Sequence, residues 1–494
     1  MSGTNQALNS PSNRTTFEEP VCAEIRSSGG PASLARSSGT AIAGGLVSQA
    51  LKAVVLISVA RMFGPADFGS FSFANSVNAF LFMIAQFGLP TFGAREVAQS
   101  DQLERGLLKA ITKARLLLAG TGTLVALVVL YFVPGVSRTE FWLVAGFGLS
   151  NVALSGFFDW AYQGMGRLNL WATVNIAWQA LWLGFTIVAF YTHSSITLVS
   201  FGLAAAAFIA GMLGWPWLRR LMHPLGETTS AHIYSVRSVI AASANLGLGT
   251  LLITVLVWTD TIIVRFVRGQ HAAGIYAAGN RVALALAMLA SYYVQGAFPK
   301  LSQSALRSPR EFSTYFQRVY EDLAVLFIPG TCWALFYAPQ IMLVLFKHPD
   351  YLAGVTVFRI FQVFLLLAIL SNLYGMGALV AHRRDHSYRK ALVISVVVML
   401  ALCPIFTVRW GPVGAAVAVL LGQALSLGLF MVETRDIVHA KLLRILGASA
   451  LIGTIPLIVG AVFHLGFWAS AVTLVLTYLV IVIWRHPALY PVEN

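Results

Sequence analysis

The sequence predicts an all-α polytopic membrane protein: about 14 transmembrane helices, forming two six-helix lobes related by a parallel repeat plus a C-terminal helix pair. Three observations carry this expectation. Long apolar stretches joined by short links fill the chain from residue 42 to residue 484. Lys and Arg concentrate in every second link. A glycine-punctuated segment recurs at a fixed spacing of 205 residues. Composition agrees: of 494 residues, 57% are hydrophobic and only 11% charged, where soluble domains hold about a quarter charged residues. The formal net charge is +14. No basic nucleic-acid module accompanies it, so the charge is read as anchoring links beside anionic lipid, and no nucleic-acid partner is expected.

The elements follow in order. Residues 1–38 are rich in Ser, Gly, Asn and Pro and lack the apolar run of a signal peptide, so they read as a disordered cytoplasmic tail. A crossing needs about 20 apolar residues. The stretches 42–63, 70–90, 114–134, 141–161, 171–192 and 197–217 give an N-lobe over residues 39–220. The stretches 239–260, 273–297, 322–346, 352–376, 389–408 and 412–432 give a C-lobe over residues 221–435. The last pair, 445–464 and 467–484, belongs to residues 436–494 with the C-terminal tail. With the amino terminus inside, 24 of the 33 Lys and Arg residues, Arg115 and Arg384 among them, fall on the cytoplasmic side. Six fall on the outer side and three within apolar stretches. That bias follows the positive-inside rule and places both termini in the cytoplasm. Trp142, Tyr191, Trp410 and Trp484 lie near span ends, as an interfacial aromatic belt requires.

The repeat is visible in two segments. Arg61 to Val77 reads RMFGPADFGSFSFANSV, and Phe266 to Val282 reads FVRGQHAAGIYAAGNRV. At the offset of 205, Gly64 aligns with Gly269, Gly69 with Gly274, Phe71 with Tyr276, Asn75 with Asn280 and Val77 with Val282. Each copy links the first and second helices of a six-helix set. An even number of crossings separates the copies, so the lobes share one orientation, as in parallel transporter repeats. Turn-forming glycines alone explain the Gly pairs but not the fixed offset or the shared Asn-x-Val.

The in-membrane cations are the candidate substrate contacts. Lys52 lies mid-span in the first helix, between Leu51 and Ala53. Arg281 and Arg359 lie about 10 Å inward from the outer ends of their helices, at about 1.5 Å per residue. Cations at that depth are costly in hydrocarbon and usually face a bundle interior or a wet cavity. Arg grips phosphate bidentately and Lys acts as a point charge, so the expected ligand carries phosphate. Asp260, Asp159 and Arg265 are candidates for coupling or gating, since membrane acids relay protons or bind cations; interfacial ion pairing is the plainer alternative. Asn75, Asn245 and Asn280 are candidate sugar contacts.

Other chemistries are opposed by the sequence. The cysteines Cys22, Cys332 and Cys403 form no CxxC pair, and the His382–His386 cluster sits in a basic link, so no metal site is expected. There is no phosphate-binding loop, GxSxG elbow or HExxH pair. No outer link is long enough for a catalytic lobe. The chain therefore reads as a transporter rather than an enzyme, with no resident cofactor; proton or sodium coupling is left open.

The segment Arg61–Val77, followed by QFGLPTFGAREVAQ (Gln86 to Gln99), resembles the opening of Wzx-type O-antigen and polysaccharide flippases. These are members of the multidrug/oligosaccharidyl-lipid/polysaccharide exporter superfamily. GIYAAGNRV, GAFPKLS (Gly296 to Ser302) and GPVGAAVA (Gly411 to Ala418) are similar to the family's second half. The resemblance runs over roughly residues 40–435. It implies movement of an undecaprenyl-pyrophosphate-linked oligosaccharide between leaflets of a bacterial inner membrane by rocking of two lobes. A cationic lumen would hold the anionic substrate, a role carried here onto Lys52, Arg281 and Arg359 alone. Partners implied are the lipid-linked oligosaccharide, membrane lipids, and polysaccharide polymerase and chain-length proteins. The rivals are a cation-coupled multidrug exporter, which would want acids in its lumen, and a membrane-embedded polymerase or ligase.

Overall fold

The computed structural model describes residues 31–100, 105–221, 234–438, Thr454 and 466–489. Among these residues no strand occurs. The helices are α1 (Pro31–Gln86), α2 (Leu89–Ser100), α3 (Arg105–Phe132), α4 (Arg138–Leu154), α5 (Asp159–Gly164), α6 (Leu168–Tyr191) and α7 (Thr197–Leu221). They continue with α8 (Val236–Arg307), α9 (Pro309–Phe336), α10 (Ala338–Phe346), α11 (Val355–Asn372), α12 (Asp385–Glu433) and α13 (Phe467–Leu489). A 3-10 turn at Pro349–Gly354 precedes α11, and a π-helical stretch, Leu373–Val380, ends it.

Eight described helices are long and apolar enough to cross a bilayer. Three of these apolar segments, Ala43–Gln99, Thr250–Arg307 and Asp385–Glu433, run 57, 58 and 49 residues, each room for two crossings of about 20 residues. Each is broken at a glycine. Gly64 has φ 74° and ψ 179°, and Gly269 has φ 85° and ψ 179°. That region is essentially closed to any residue with a Cβ. The two positions paired by the 205-residue offset thus adopt the same bend, which folds α1 and α8 each into two arms. Gly411 (φ 61°), followed by Pro412, breaks α12 in the same manner. The all-α polytopic expectation is borne out. Large apolar side chains such as Leu124 (63% exposed) and Val408 (62%) lie on the outer surface, where hydrocarbon rather than water suits them.

Several boundaries differ from expectation. Residues 31–38, expected in the tail, are helical; residues 1–30 and most of the 445–464 stretch lie outside the described residues. The stretch 141–161 is two helices, because the chain turns between Leu154 and Asp159. The stretch 322–346 breaks at Tyr337; Pro339 lacks an amide hydrogen and disfavours helical geometry in the residue before it. Caps fix the starts. Ser137 caps α4 in a box with Glu140, Ser235 caps α8, and Ser308 caps α9 ahead of Pro309.

Packing sorts the apolar residues into three clusters. One fills the second half, running from α8 and α9 through α11 to α12. One centres on α2, α3 and α5 of the first half, at the end away from Gly64, and takes in Val239 at the start of α8. The third joins both halves at the Gly64 and Gly269 end, where Phe68 and Phe71 share a core with Ala277, Met342 and Tyr351. Phe68 meets Tyr351 edge-on at 6.3 Å, and Phe71 meets Phe147 at 5.4 Å. The helix α13 is stitched to α9 by one side chain. The Tyr478 hydroxyl accepts from Gly330 N (2.9 Å) and donates to Leu326 O (2.7 Å). It stands in for the i→i−4 bond of that turn, beside Pro329, an insertion of the kind that bends helices.

Candidate functional site

Lys52 and Arg281 come together. Each stands twelve residues from its glycine bend, which at about 1.5 Å per residue is roughly 18 Å along the arm. They occupy different arms, the first of α1 and the second of α8, and these arms pack side by side. The two cations are close enough for their charges to act on each other. The repeat does not pair them: at the 205 offset Lys52 matches Val257 and Arg281 matches Ser76. A nearly symmetric scaffold therefore carries a single, asymmetric positive centre.

Arg281 is held in place by an aromatic ring. Its guanidinium lies over the Trp258 ring at 4.5 Å, a cation–π contact that fixes the plane while leaving its N–H groups available. Its Nε and Nη2 are buried without a hydrogen-bond partner in the protein. Asp260 lies within electrostatic reach of Arg281 and is 1% exposed. Its own oxygens are engaged elsewhere: Tyr276 donates its hydroxyl to Oδ2 (2.6 Å), and Thr261 donates its amide (2.6 Å) and hydroxyl (3.2 Å) to Oδ1. Two cations against one acid leave the centre net positive, with guanidinium donors that have no partner in the protein.

The centre is enclosed at both ends by contacts between the halves, and the two closures differ in chemistry. At the Gly64 and Gly269 end the contact is reciprocal. A Cβ on Gly69 would lie 1.8 Å from Gln270 O, and a Cβ on Gly274 would lie 1.8 Å from Pro65 O. Each glycine thus presses the residue that follows the other half's bend. Beside it, Arg265 grips Glu140 bidentately, Nε to Oε1 at 2.7 Å and Nη2 to Oε2 at 2.6 Å. Their side chains are 7% and 0% exposed. Glu140 also accepts from Ser137 N (2.9 Å), so its carboxylate is saturated. Arg61 donates to the carbonyls of Leu345 and Val344 across the halves, and Tyr351 donates to Ala60 O (3.0 Å). At the opposite end the contacts among the described residues carry no ion pair. They are Gly45 against the Tyr292 ring, Gln49 Nε2 on Met288 Sδ (3.0 Å), and Gly247 on the Phe87 ring.

A cavity of about 1000 Å3 opens beside the centre, between α8, α9, α11 and α13. Its wall is apolar and aromatic, with no charged side chain among the described lining residues. Leu46 reaches it from α1 and Val282, next to Arg281, from α8. Gln362 and Thr331 also line it.

The other expected site residues fall elsewhere. Arg359 is not beside Lys52 and Arg281; it is exposed on α11 and donates to Leu335 O (3.2 Å). Asp159 is buried in the first half, within electrostatic reach of Arg115. Arg115, expected on the cytoplasmic side as a link residue, is 2% exposed on α3 and donates to Phe157 O at 2.8 Å, closing the turn between α4 and α5. Arg265 belongs to the closure with Glu140. Asn75 (6% exposed) and Asn280 (0%) are buried and do not line the cavity. The Asn245 side chain is outside the described residues. In the basic link, Arg384 pairs with Asp436, and His382 packs edge-on against Phe312 at 4.5 Å. Sequence reasoning missed Glu140, Trp258, Gln362 and Thr331. Only Glu140 carried a signal, the Ser137-x-x-Glu140 capping pattern.

The fold is one shared with solved transporters of the MOP superfamily. The chain is similar to the structure entitled "Lipid II flippase MurJ, inward closed conformation", with TM-score 0.69 and 14% identity over 90% of this chain and 99% of that one. It is also similar to an outward-facing multidrug resistance MATE family transporter of the MOP superfamily, with TM-score 0.54 and 14% identity over 82% and 94%. Both likenesses concern the fold. In sequence, the proposed O-antigen transporter of Escherichia coli (strain K12) is 21% identical over 383 residues, 76% of this chain and 90% of that one. The model of the polysaccharide biosynthesis protein family matches residues 34–305. The chain belongs to that family, which bears out the resemblance read from its sequence.

Proposed function

We propose that this multi-pass membrane transporter of the polysaccharide class moves a polyprenyl-diphosphate-linked oligosaccharide from the cytoplasmic to the periplasmic leaflet of a bacterial inner membrane. The observation that carries this reading is the half-buried Lys52–Arg281 pair, whose unpaired guanidinium N–H groups suit a diphosphate. The neighbouring apolar cavity suits a long hydrocarbon tail. The two halves alternate access, with both termini cytoplasmic by the charge bias of the links. The Glu140–Arg265 end is then the periplasmic one. Asp260, beside Arg281, is the group we assign to coupling with a proton or sodium gradient. Polymerase and chain-length proteins are the partners that would consume the delivered substrate.

The test is reconstitution in liposomes with a labelled polyprenyl-diphosphate sugar, following leaflet exchange with and without an ion gradient. Exchange is expected from the wild-type chain and is expected to vanish in Lys52→Ala and Arg281→Ala. Lys52→Ala should fold normally, because removing an unpaired cation relieves a desolvation cost, and Arg281→Lys, which keeps the charge facing Asp260 but loses the guanidinium fork, separates loss of binding from loss of fold. Equal exchange by wild type and both alanine variants would remove the cation pair from the mechanism.

A further inference from the structure

The cavity beside the cation pair contains a feature its apolar wall does not explain. Gln362 is 0% exposed, and both its Nε2 and Oε1 lack a hydrogen-bond partner. Thr331, 2% exposed, lines the same cavity with its Oγ1 unpartnered. Threonines in helices commonly donate back to the carbonyl four residues earlier, as Thr186, Thr254 and Thr407 do here. Thr331 does not. Three buried polar atoms on residues that line one hydrocarbon-walled cavity therefore have no partner, where unmet polar groups are costly.

Their height in the molecule follows from packing. Gly354 abuts Ile275, and Gly279 abuts Val357 and Phe358, so α8 and α11 run parallel in register there. Gln362, four residues past Phe358, is then level with Ala283, about 3 Å along the helix from Arg281. Gln362 and the positive centre lie at the same depth. A bare hydrocarbon would fill the cavity and leave Gln362 and Thr331 unmet. An isolated anionic group would find no cation among the lining residues.

We propose that Gln362 and Thr331 bind the junction between head and tail of an isoprenoid diphosphate. Gln362 Nε2 and Thr331 Oγ1 donate to its phosphoester oxygens, the charged phosphates meet Arg281 and Lys52, and the tail lies in the cavity. The proposal deepens the transport reading above and rests on it. Gln362 and Thr331 are substrate-selecting residues: they distinguish a phosphoester-bearing lipid from the corresponding alcohol.

The purified full-length chain, titrated with a polyprenyl diphosphate, the matching polyprenol and phosphatidylglycerol, tests this by native mass spectrometry and thermal shift. The wild type should bind the diphosphate. Gln362→Leu should weaken that binding about tenfold and leave polyprenol binding unchanged, with a melting temperature equal to or above wild type. Thr331→Val should act in the same direction. Unchanged diphosphate binding in Gln362→Leu overturns the assignment, as does uniform weakening of all three ligands together with a lower melting temperature, which makes Gln362 a packing residue. Tighter binding of phosphatidylglycerol than of the diphosphate by wild type overturns it in favour of a bulk-lipid site. A wild type that binds none of the three fails the transport reading itself.

Discussion

Glu140 shows how much one side chain can close. Its carboxylate caps α4 and grips Arg265 of the other half with no exposure to solvent. Removing one partner of a buried pair leaves the other uncompensated, a loss of about 3–5 kcal/mol. Glu140→Gln should therefore destabilise the closed arrangement by an amount of that order. Spin labels placed on the two halves at that end should report longer separations than in wild type. An unchanged distance distribution would mean the pair braces the fold without holding the halves together. Tyr478 acts on a smaller scale. Tyr478→Phe removes the hydroxyl shared by Gly330 and Leu326 and should cost about 1–3 kcal/mol for the orphaned backbone groups. A denaturation midpoint equal to wild type would show that the turn of α9 heals itself. Sequence alone placed Arg359 at a useful depth but gave no azimuth. Phe358, Gln362 and Leu365, spaced at helical intervals, face the cavity, and Arg359, one residue round the helix, faces away.

At the scale of elements, the glycine bends dominate. The φ and ψ at Gly64 and Gly269 exclude side chains. Gly64→Ala or Gly269→Ala should each cost about 1–3 kcal/mol, read as a lower melting temperature; no loss in either would mean that the bend relaxes without penalty. Gly69 and Gly274 act by space, not torsion. A methyl at either would collide with the opposite backbone, so Gly274→Ala should push the halves apart at that end while leaving each half's own core intact. These elements were legible in the sequence because the repeat marks both copies of the bend. The Glu140–Arg265 contact was not, because no periodicity links residues 125 apart. The spans near 141–161 and 322–346 were misplaced because hydropathy does not register a turn made inside an apolar run.

For the whole molecule, the two closures set an order of opening. The Gly64 and Gly269 end has a shared core, a buried ion pair and side-chain bonds to carbonyls. Among the described residues the other end relies on ring and thioether contacts and on the start of α8, where Val239 packs into the first half's core, with no buried ion pair. The latter should open more often. In a chain freed of its native cysteines, Gly45→Cys should react with a water-soluble thiol reagent faster than Ser70→Cys; the reverse order would refute this. The fold class and the two central cations were readable from the placement of charge along the chain. The enclosing contacts, the cavity and its open polar atoms depend on which helix faces meet, and no single segment encodes that.

The distance along the chain between Glu140 and Arg265 also bears on biogenesis. The ribosome delivers the carboxylate 125 residues before its guanidinium partner. The first half must therefore enter the bilayer with that acid unmatched, held only by its own capping serine. A nascent chain stalled or truncated in this interval presents an unneutralised carboxylate at a span edge, which a membrane quality-control protease can recognise. Completion of the seventh crossing, which delivers Arg265, is the moment at which that acid gains its partner.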